Sequence, residues 1–148
     1  MTGGQARFEA SILATPQAIA DLTEKVIAFL DARGVEHRPT HHTALILEEI
    51  LTNLGMHGDC LEDPARIVVT VEPGQVTGEI VDVGPPFDPR LAPDPPLDAA
   101  PHDRPIGGLG LYLVRKLSCS LEYTRHSNEN CLVFAVSRGG VSAEEKPK

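Results

Sequence analysis

Three short stretches of this chain carry side chains of the kinds that do chemistry. In Leu47-Glu-Glu-Ile-Leu-Thr-Asn-Leu-Gly-Met-His-Gly-Asp59, residues Glu49, Asn53 and His57 recur at a spacing of four. Successive residues of a helix turn by about 100°, so positions four apart lie within roughly 40° of one another. A carboxylate, a carboxamide and an imidazole therefore share one stripe. Ala44, Leu47, Leu51 and Leu54 form the main apolar stripe, and Leu45, Ile46, Ile50 and Met56 flank the polar one. A helix that is apolar on nearly every side is a buried helix. The polar stripe is then either enclosed by protein or ligand, or an ordinary exposed strip with stray apolar neighbours. If enclosed, Glu49 must face a cavity, a cation or a strong donor, because an unpaired buried carboxylate is costly. Glu48 lies about 100° further round the axis and misses the stripe.

The second stretch is Val81-Asp-Val-Gly-Pro-Pro-Phe-Asp-Pro89, with Asp82 among apolar residues at the end of a strand. A carboxylate there either caps the turn or accepts a hydrogen bond from an exocyclic amine such as that of adenine. Gly84 would let a ring approach the backbone closely. The third, Gly107-Gly-Leu-Gly-Leu-Tyr-Leu-Val-Arg-Lys-Leu117, opens a helix with glycines. Unblocked N–H groups at the positive end of a helix dipole make an anion site, though glycines before a helix are also common loop chemistry. No Gly-Lys-Ser/Thr follows, so this is not a Walker P-loop. No buried parallel strand precedes it, so it is not a Rossmann fingerprint.

The elements that must position these groups follow from periodicity and punctuation. Phe8 to Ala14 reads as a first strand. Thr15-Pro16 starts a helix, which Ile19, Leu22, Val26, Phe29 and Leu30 carry on at helical spacing until Gly34 ends it; the helix spans Pro16 to Ala32. A second helix runs from Thr40 to about His57. Arg66 to Glu72 is a strand by its β-branched content, Pro73-Gly74 the hairpin turn, and Val76 to Val83 the return strand. Gly84 to Gly107 holds eight of the chain's 13 prolines. So long an insert in a compact domain is a functional loop or lid, or else a disordered surface insertion. Leu121 to Arg125 and Cys131 to Ser137 form a last strand pair joined by the turn His-Ser-Asn-Glu-Asn. The order predicts an α+β fold, a two-layer sandwich in which three helices cover one face of a mostly antiparallel mixed sheet. One domain is expected over residues 8–137, with a polar tail over 138–148.

Composition bounds the function classes. A chain of 148 residues with 41% hydrophobic and 23% charged residues is globular and large enough for a real core. Net charge is −8 and no Lys/Arg stripe stands out, so no nucleic acid is expected as partner. Cys60, Cys119 and Cys131 are far apart and form no CxxC, as in a reduced cytoplasmic protein. No apolar run reaches 18 residues, so no membrane partner is expected, and Met1 to Ala10 shows no leader pattern. His37, His41, His42, His57 and Cys60 are scattered over a loop and two helix faces, a poor metal set.

Taken in order, Glu-x-x-x-Asn-x-x-x-His on a helix, Asp-x-Gly-x-Pro-Phe-Asp-Pro after a strand, a long loop, and Gly-Gly-Leu-Gly-Leu-x-Leu-Val opening a helix form a specific set. The chain resembles the ATP-binding domain of the GHKL (Bergerat-fold) ATPases over roughly Phe8 to Ser137. Within them it is most similar to the bacterial anti-sigma factor serine/threonine kinases. The resemblance implies ATP and Mg²⁺ as cofactors, Glu49 as catalytic base and Asn53 as the Mg²⁺ ligand, with His57 supporting the pocket. Asp82 would read adenine, with Gly84 and Phe87 beside the base. Gly107, Gly108 and Gly110 would cradle the phosphates while Leu109 and Leu111 anchor the helix; Arg104 would steady the γ-phosphate. Residues 84–107 match the ATP lid, although this lid is longer and richer in proline than the family's. Asn130 falls near a polar position of the family, with no role assigned. The implied function is phosphorylation of a STAS-type anti-anti-sigma protein by a kinase that also binds a sigma factor, with a homodimer through the first strand and helix. Two alternatives share the motifs: a nucleotide-gated binding module without phosphotransfer, and a histidine-kinase catalytic domain. The second is disfavoured because the first helix holds no histidine.

Overall fold

The computed structural model describes residues 6–57, 63–91 and 108–139. Within them lie five strands and three α-helices, in the order β1 (Ala6–Ile12), α1 (Pro16–Ala32), α2 (His37–His57), β2 (Ala65–Val71), β3 (Gln75–Asp82), α3 (Gly108–Leu117), β4 (Ser120–His126) and β5 (Glu129–Ser137), with a short 3₁₀ turn at Pro89–Leu91. The strands form one sheet in the order β1-β2-β3-β5-β4. Every pair is antiparallel. The α+β architecture is as expected, and among the described residues the sheet is antiparallel throughout. β2–β3 and β4–β5 are hairpins, α1 and α2 separate β1 from β2, and β5 lies between β3 and β4 and runs against both, so β3 and β4 run in the same direction with α3 between them in the chain.

Local chemistry sets the element ends. Thr15 caps α1, its side-chain oxygen accepting from Ala18 N at 3.2 Å, with Pro16 in the first turn. At the other end Gly34 adopts φ 76°. Its N–H donates to Asp31 O, and Val35 N donates to Leu30 O, both at 3.1 Å. This is the paired bonding of a left-handed glycine stop, sealed by the buried Val35 and Leu30. Helix α2 begins at His37, three residues before the expected Thr40. Pro39 falls in its first turn, where a missing N–H costs nothing. The β4–β5 turn is tighter than expected: Ser127 and Asn128 take φ 53° and 68°, and the strands pair right up to them.

One face of the sheet is apolar and takes the helices. Ile67 and Val69 of β2, Val76 and Ile80 of β3, and Leu132, Phe134 and Val136 of β5 form one cluster with Val26 and Leu30 of α1, Ile46, Leu47 and Leu51 of α2, and Leu111 and Val114 of α3. Phe8 of β1 meets Phe29 of α1 with ring centroids 5.7 Å apart. The other face carries Arg7, Glu9, Arg66 and Glu122, all exposed.

At the centre of the sheet Gly78 pairs with Phe134 across the β3–β5 ladder. The fully buried Phe134 ring lies over the glycine. A Cβ at residue 78 would fall inside contact of three ring atoms, the farthest at 3.0 Å. Overpacking of this kind costs about 1–3 kcal/mol. Gly78→Ala should therefore lower the unfolding free energy by about that amount in urea titrations, with the m-value unchanged.

Candidate functional site

Helix α2 brings two of its polar residues to the helix-covered side of the sheet. Glu49 and Asn53 are half-buried, whereas Glu48 is exposed, as the 100° offset requires. The apolar flanks behave unequally: Ile46 and Ile50 are buried, while Met56 is 56% exposed. His57 ends α2, and its side chain lies outside the described residues.

Glu49 owes its place to α3. Gly110 in the first turn of α3 sits so close that an added Cβ would overlap the Glu49 carboxylate, 2.9 Å from Cδ and nearer still to Oε1. Hydrogen at this position, and no larger side chain, lets the carboxylate occupy the space between the two helices. Burial pushes the Glu49 carboxyl above its ordinary value, and the neighbouring charge of Glu48 adds to the effect. A carboxylate raised in this way is a better proton acceptor near neutral pH.

A narrow cleft opens beside it. Helix α2 lines it with Ile50, Asn53 and Leu54, strand β3 with Ile80 and Asp82, and β4 and β5 with Tyr123, Asn130 and Leu132. Phe87 and Pro89, at the root of the proline-rich segment, complete its wall. Its enclosed volume is about 20 Å³, room for about one water. The segment Phe87–Pro89 closes one side of it as a strap. That strap is held by named bonds. Phe87 N donates to the Tyr123 hydroxyl at 3.3 Å, and Arg115 Nη1 donates to Pro89 O at 3.2 Å. Asp88 grips Arg90 through both carboxylate oxygens, the shortest contact being 2.7 Å, and this holds the Asp88 carboxyl below its usual range.

Asp82 is 4% exposed at the end of β3. Its Oδ2 accepts from Gly84 N at 2.8 Å and from Asn130 Nδ2 at 3.2 Å. Among the described residues no protein donor reaches Oδ1. The two readings of Asp82 thus divide between its two oxygens: one caps the turn at Gly84, and the other stays available to a ligand. These groups are of the kinds an adenine would need: apolar walls from both layers, and one acceptor on a buried carboxylate. Asn53 offers a carboxamide oxygen, a hard donor of the kind Mg²⁺ takes singly while keeping water and phosphate oxygens.

Helix α3 starts at Gly108, so Gly108, Leu109 and Gly110 form its first turn, with backbone N–H groups that have no partner within the helix. Leu111 is buried in the core and anchors that turn. The side chain of Leu109, and Arg104, Gly107 and the lid beyond residue 91, lie outside the described residues, as does the tail beyond residue 139. Sequence reasoning passed over Tyr123 and Pro89 and assigned Asn130 no role. Strand alternation held a signal for Tyr123, which faces Leu132 across the β4–β5 ladder.

A wider hollow of about 330 Å³ lies on the uncovered sheet face between Arg7, Glu9, Arg66 and Glu79. Its arginines are already engaged, Arg7 with Glu9 at 2.9 Å and Arg66 with Glu129 at 3.4 Å. The convergent chemistry is on the helix side.

This fold and this site define a nucleotide-binding class of domain. Residues 12–136 match the histidine kinase-like ATPase domain, and the chain belongs to that GHKL family. It is 32% identical over 129 residues to the serine/threonine-protein kinase BtrW of Bordetella bronchiseptica, covering 86% of this chain and 89% of that one. The crystal structure of the RsbU and RsbW domains of Rv1364c from Mycobacterium tuberculosis superposes with a TM-score of 0.65 at 13% identity, over 94% of this chain and 35% of that one. At such identity the likeness speaks for the fold. No helix among the described residues is long and apolar enough to cross a membrane.

The strained titration of Glu49 has a measurable consequence. A carboxyl raised above its ordinary 4.5 in the fold penalises the native state while it is ionised. The penalty is fully present above the raised value and vanishes below 4.5, where the group is protonated whether folded or not. Glu49→Gln should raise Tm at pH 7–8, and the gain should fade as the pH falls below the ordinary carboxyl range. A constant gain across pH would contradict burial of the charge.

Proposed function

We propose that this chain is an ATP-dependent protein serine/threonine kinase that acts as an anti-sigma factor in a partner-switching pathway. Its substrate would be a serine of a STAS-type anti-anti-sigma protein, and a sigma factor its second partner. The observation that carries this reading is the Glu49 carboxylate, half-buried against Gly110, raised in its titration, and one helical turn from Asn53 at the cleft. A domain that only bound nucleotide would need no such base. Similarity to a named serine/threonine-protein kinase over most of both chains supports the same direction.

In this reading Asp82 and the apolar walls hold the adenine, and the first-turn N–H groups of α3 hold the phosphates. Asn53 would hold Mg²⁺, which supplies charge neutralisation on the triphosphate. Glu49 accepts the proton of the serine hydroxyl as its oxygen attacks the γ-phosphorus and the bond to the β-phosphate oxygen breaks. Phosphoryl transfer asks little of the protein beyond this positioning and charge compensation. A phosphoserine adds close to two negative charges, enough to weaken a docking face on the STAS protein. The two partners then compete for one kinase, and the nucleotide state biases the choice. A homodimer through β1 and α1 fits the same scheme.

A second reading, a nucleotide-gated binding module without phosphotransfer, draws on one observation. The strap over the cleft is pinned by Tyr123 and Arg115, so a nucleotide that displaced it would break these bonds and alter the lid root. Incubation with Mg-ATP and STAS proteins, followed by mass spectrometry for phosphoserine, separates the two. Glu49→Ala should retain ATP binding and lose about 10²-fold or more in transfer rate, the usual worth of a general base. Glu48→Ala should stay within a few-fold of the parent. Unchanged transfer by Glu49→Ala would remove the assigned mechanism, and ATP binding with no phosphoprotein would favour the gated module.

A further inference from the structure

The first two turns of α2 gather four basic side chains in a chain whose net charge is −8. His37, Arg38 and His41 are exposed and His42 is half-buried. The His37 and His41 rings lie against each other with centroids 4.2 Å apart. Their own helix offers them no carboxylate. Its first turn holds no acidic residue, and the positions three and four away from each of the four carry none. Glu36, which precedes them, is committed to Arg138 at 3.0 Å. Among the described residues none of the four forms an ion pair. Cations at the positive end of a helix dipole are locally disfavoured. Burial, then the charges of Arg38 and His41, hold the His42 imidazole below its ordinary value. The group opposes its own helix, and no acid among the described residues offsets it.

We propose that these two turns, with Arg38, His41 and His42 beside Leu45, are the docking face for the protein substrate, and that they select a partner whose surface around the acceptor serine is acidic. The inference rests on the kinase reading and names the class of substrate. Its second support is position. His42 and Glu49 are seven residues apart, so they are offset by about 20° round the axis and about 10 Å along it. Arg38 lies one turn further along the same stripe, and the half-buried Leu45 stands between His42 and Glu49. In the other direction the stripe runs from Glu49 to Asn53 and the cleft, which the nucleotide would fill. A serine that reaches Glu49 arrives on a folded protein. A footprint of about 800 Å² has a radius of about 16 Å, so one centred on Glu49 covers His42 and extends to Arg38.

An acidic partner supplies what this helix start lacks. Its carboxylates would sit at the positive end of the dipole and pair with the Arg38 guanidinium, whose planar fork matches a carboxylate in two bonds. Leu45 gives the same face an apolar contact close to Glu49. The excess of acid over the whole chain repels such a partner in general, so the local attraction selects one orientation out of many. That orientation is the one that carries the serine along the stripe toward Glu49.

The test measures KM and kcat for phosphorylation of a STAS acceptor protein, and the dissociation constant of Mg-ATP, on the parent, on Arg38→Glu and on the double variant Arg38→Gln with His42→Gln. Each is checked for a cooperative melt. Arg38→Glu should raise KM for the acceptor at least about tenfold, and the gap should narrow as salt rises from about 50 to about 500 mM. Its kcat and its affinity for Mg-ATP should stay within about twofold of the parent, and the double variant should raise KM by a smaller factor. An acceptor with lysines in place of the acids beside its serine should reverse the order, serving Arg38→Glu better than the parent. If KM is unchanged, or moves by the same factor as the Mg-ATP affinity, the inference is overturned and the kinase reading stands. Should Arg38→Glu fail to fold, the double variant decides in the same way. A parent that binds Mg-ATP and phosphorylates no protein overturns both.

Discussion

The burial of α2 is the constraint on which the rest of this structure depends. The helix lies against the sheet, with α1 and α3 packed on it, so Ile46, Leu47, Ile50 and Leu51 are all removed from water. A helix buried on that scale has little room for a carboxylate, and charge in such a place is costly. The structure accommodates one by thinning the neighbouring helix. Gly110 gives up its side chain so that Glu49 can lie between α2 and α3. The cost is not removed, and it survives as the upward shift of the Glu49 carboxyl. A site that keeps such a residue does so against its own stability, which is the physical sense in which perturbed titration points to function.

Beside that centre several polar groups are tied to one another. Asp82, Asn130, Tyr123 and Arg125 share one hydrogen-bond hub that stitches the end of β3 to β4 and β5. Low dielectric strengthens such a network when every member is paired and penalises it when one is not. The hub rigidifies the floor of the cleft and, among the described residues, leaves Oδ1 of Asp82 without a protein donor. It also reaches the strap at Phe87 through Tyr123. Floor and gate are thus mechanically joined, although they come from distant parts of the chain.

Much of this was legible before any coordinates. The span of α1 follows from Thr15, Pro16 and Gly34, three residues whose backbone preferences act within a single turn. The separation of Glu49 from Glu48 follows from helical geometry alone, and their unequal exposure bears it out. Boundaries slipped where local signals were ambiguous. Pro39 masked the start of α2 because a proline in a first turn looks the same as one that precedes it. The five-residue turn expected before β5 shrank to Ser127 and Asn128 because cross-strand pairing continued as far as the backbone allowed.

By itself, then, the order of residues determined which faces are apolar, which groups can ionise, and where the chain must turn, since these rest on interactions between neighbours a few positions apart. It could not determine that Gly110 would lie against Glu49, or that Asn130 would meet Asp82, because 61 and 48 positions respectively separate them along the chain. Those meetings arise only when helices pack and strands take register, and packing is a property of the whole core. The kinds of chemistry available were written locally. The tertiary structure alone decided which oxygen of Asp82 is left free and how far the Glu49 carboxyl is withdrawn from water.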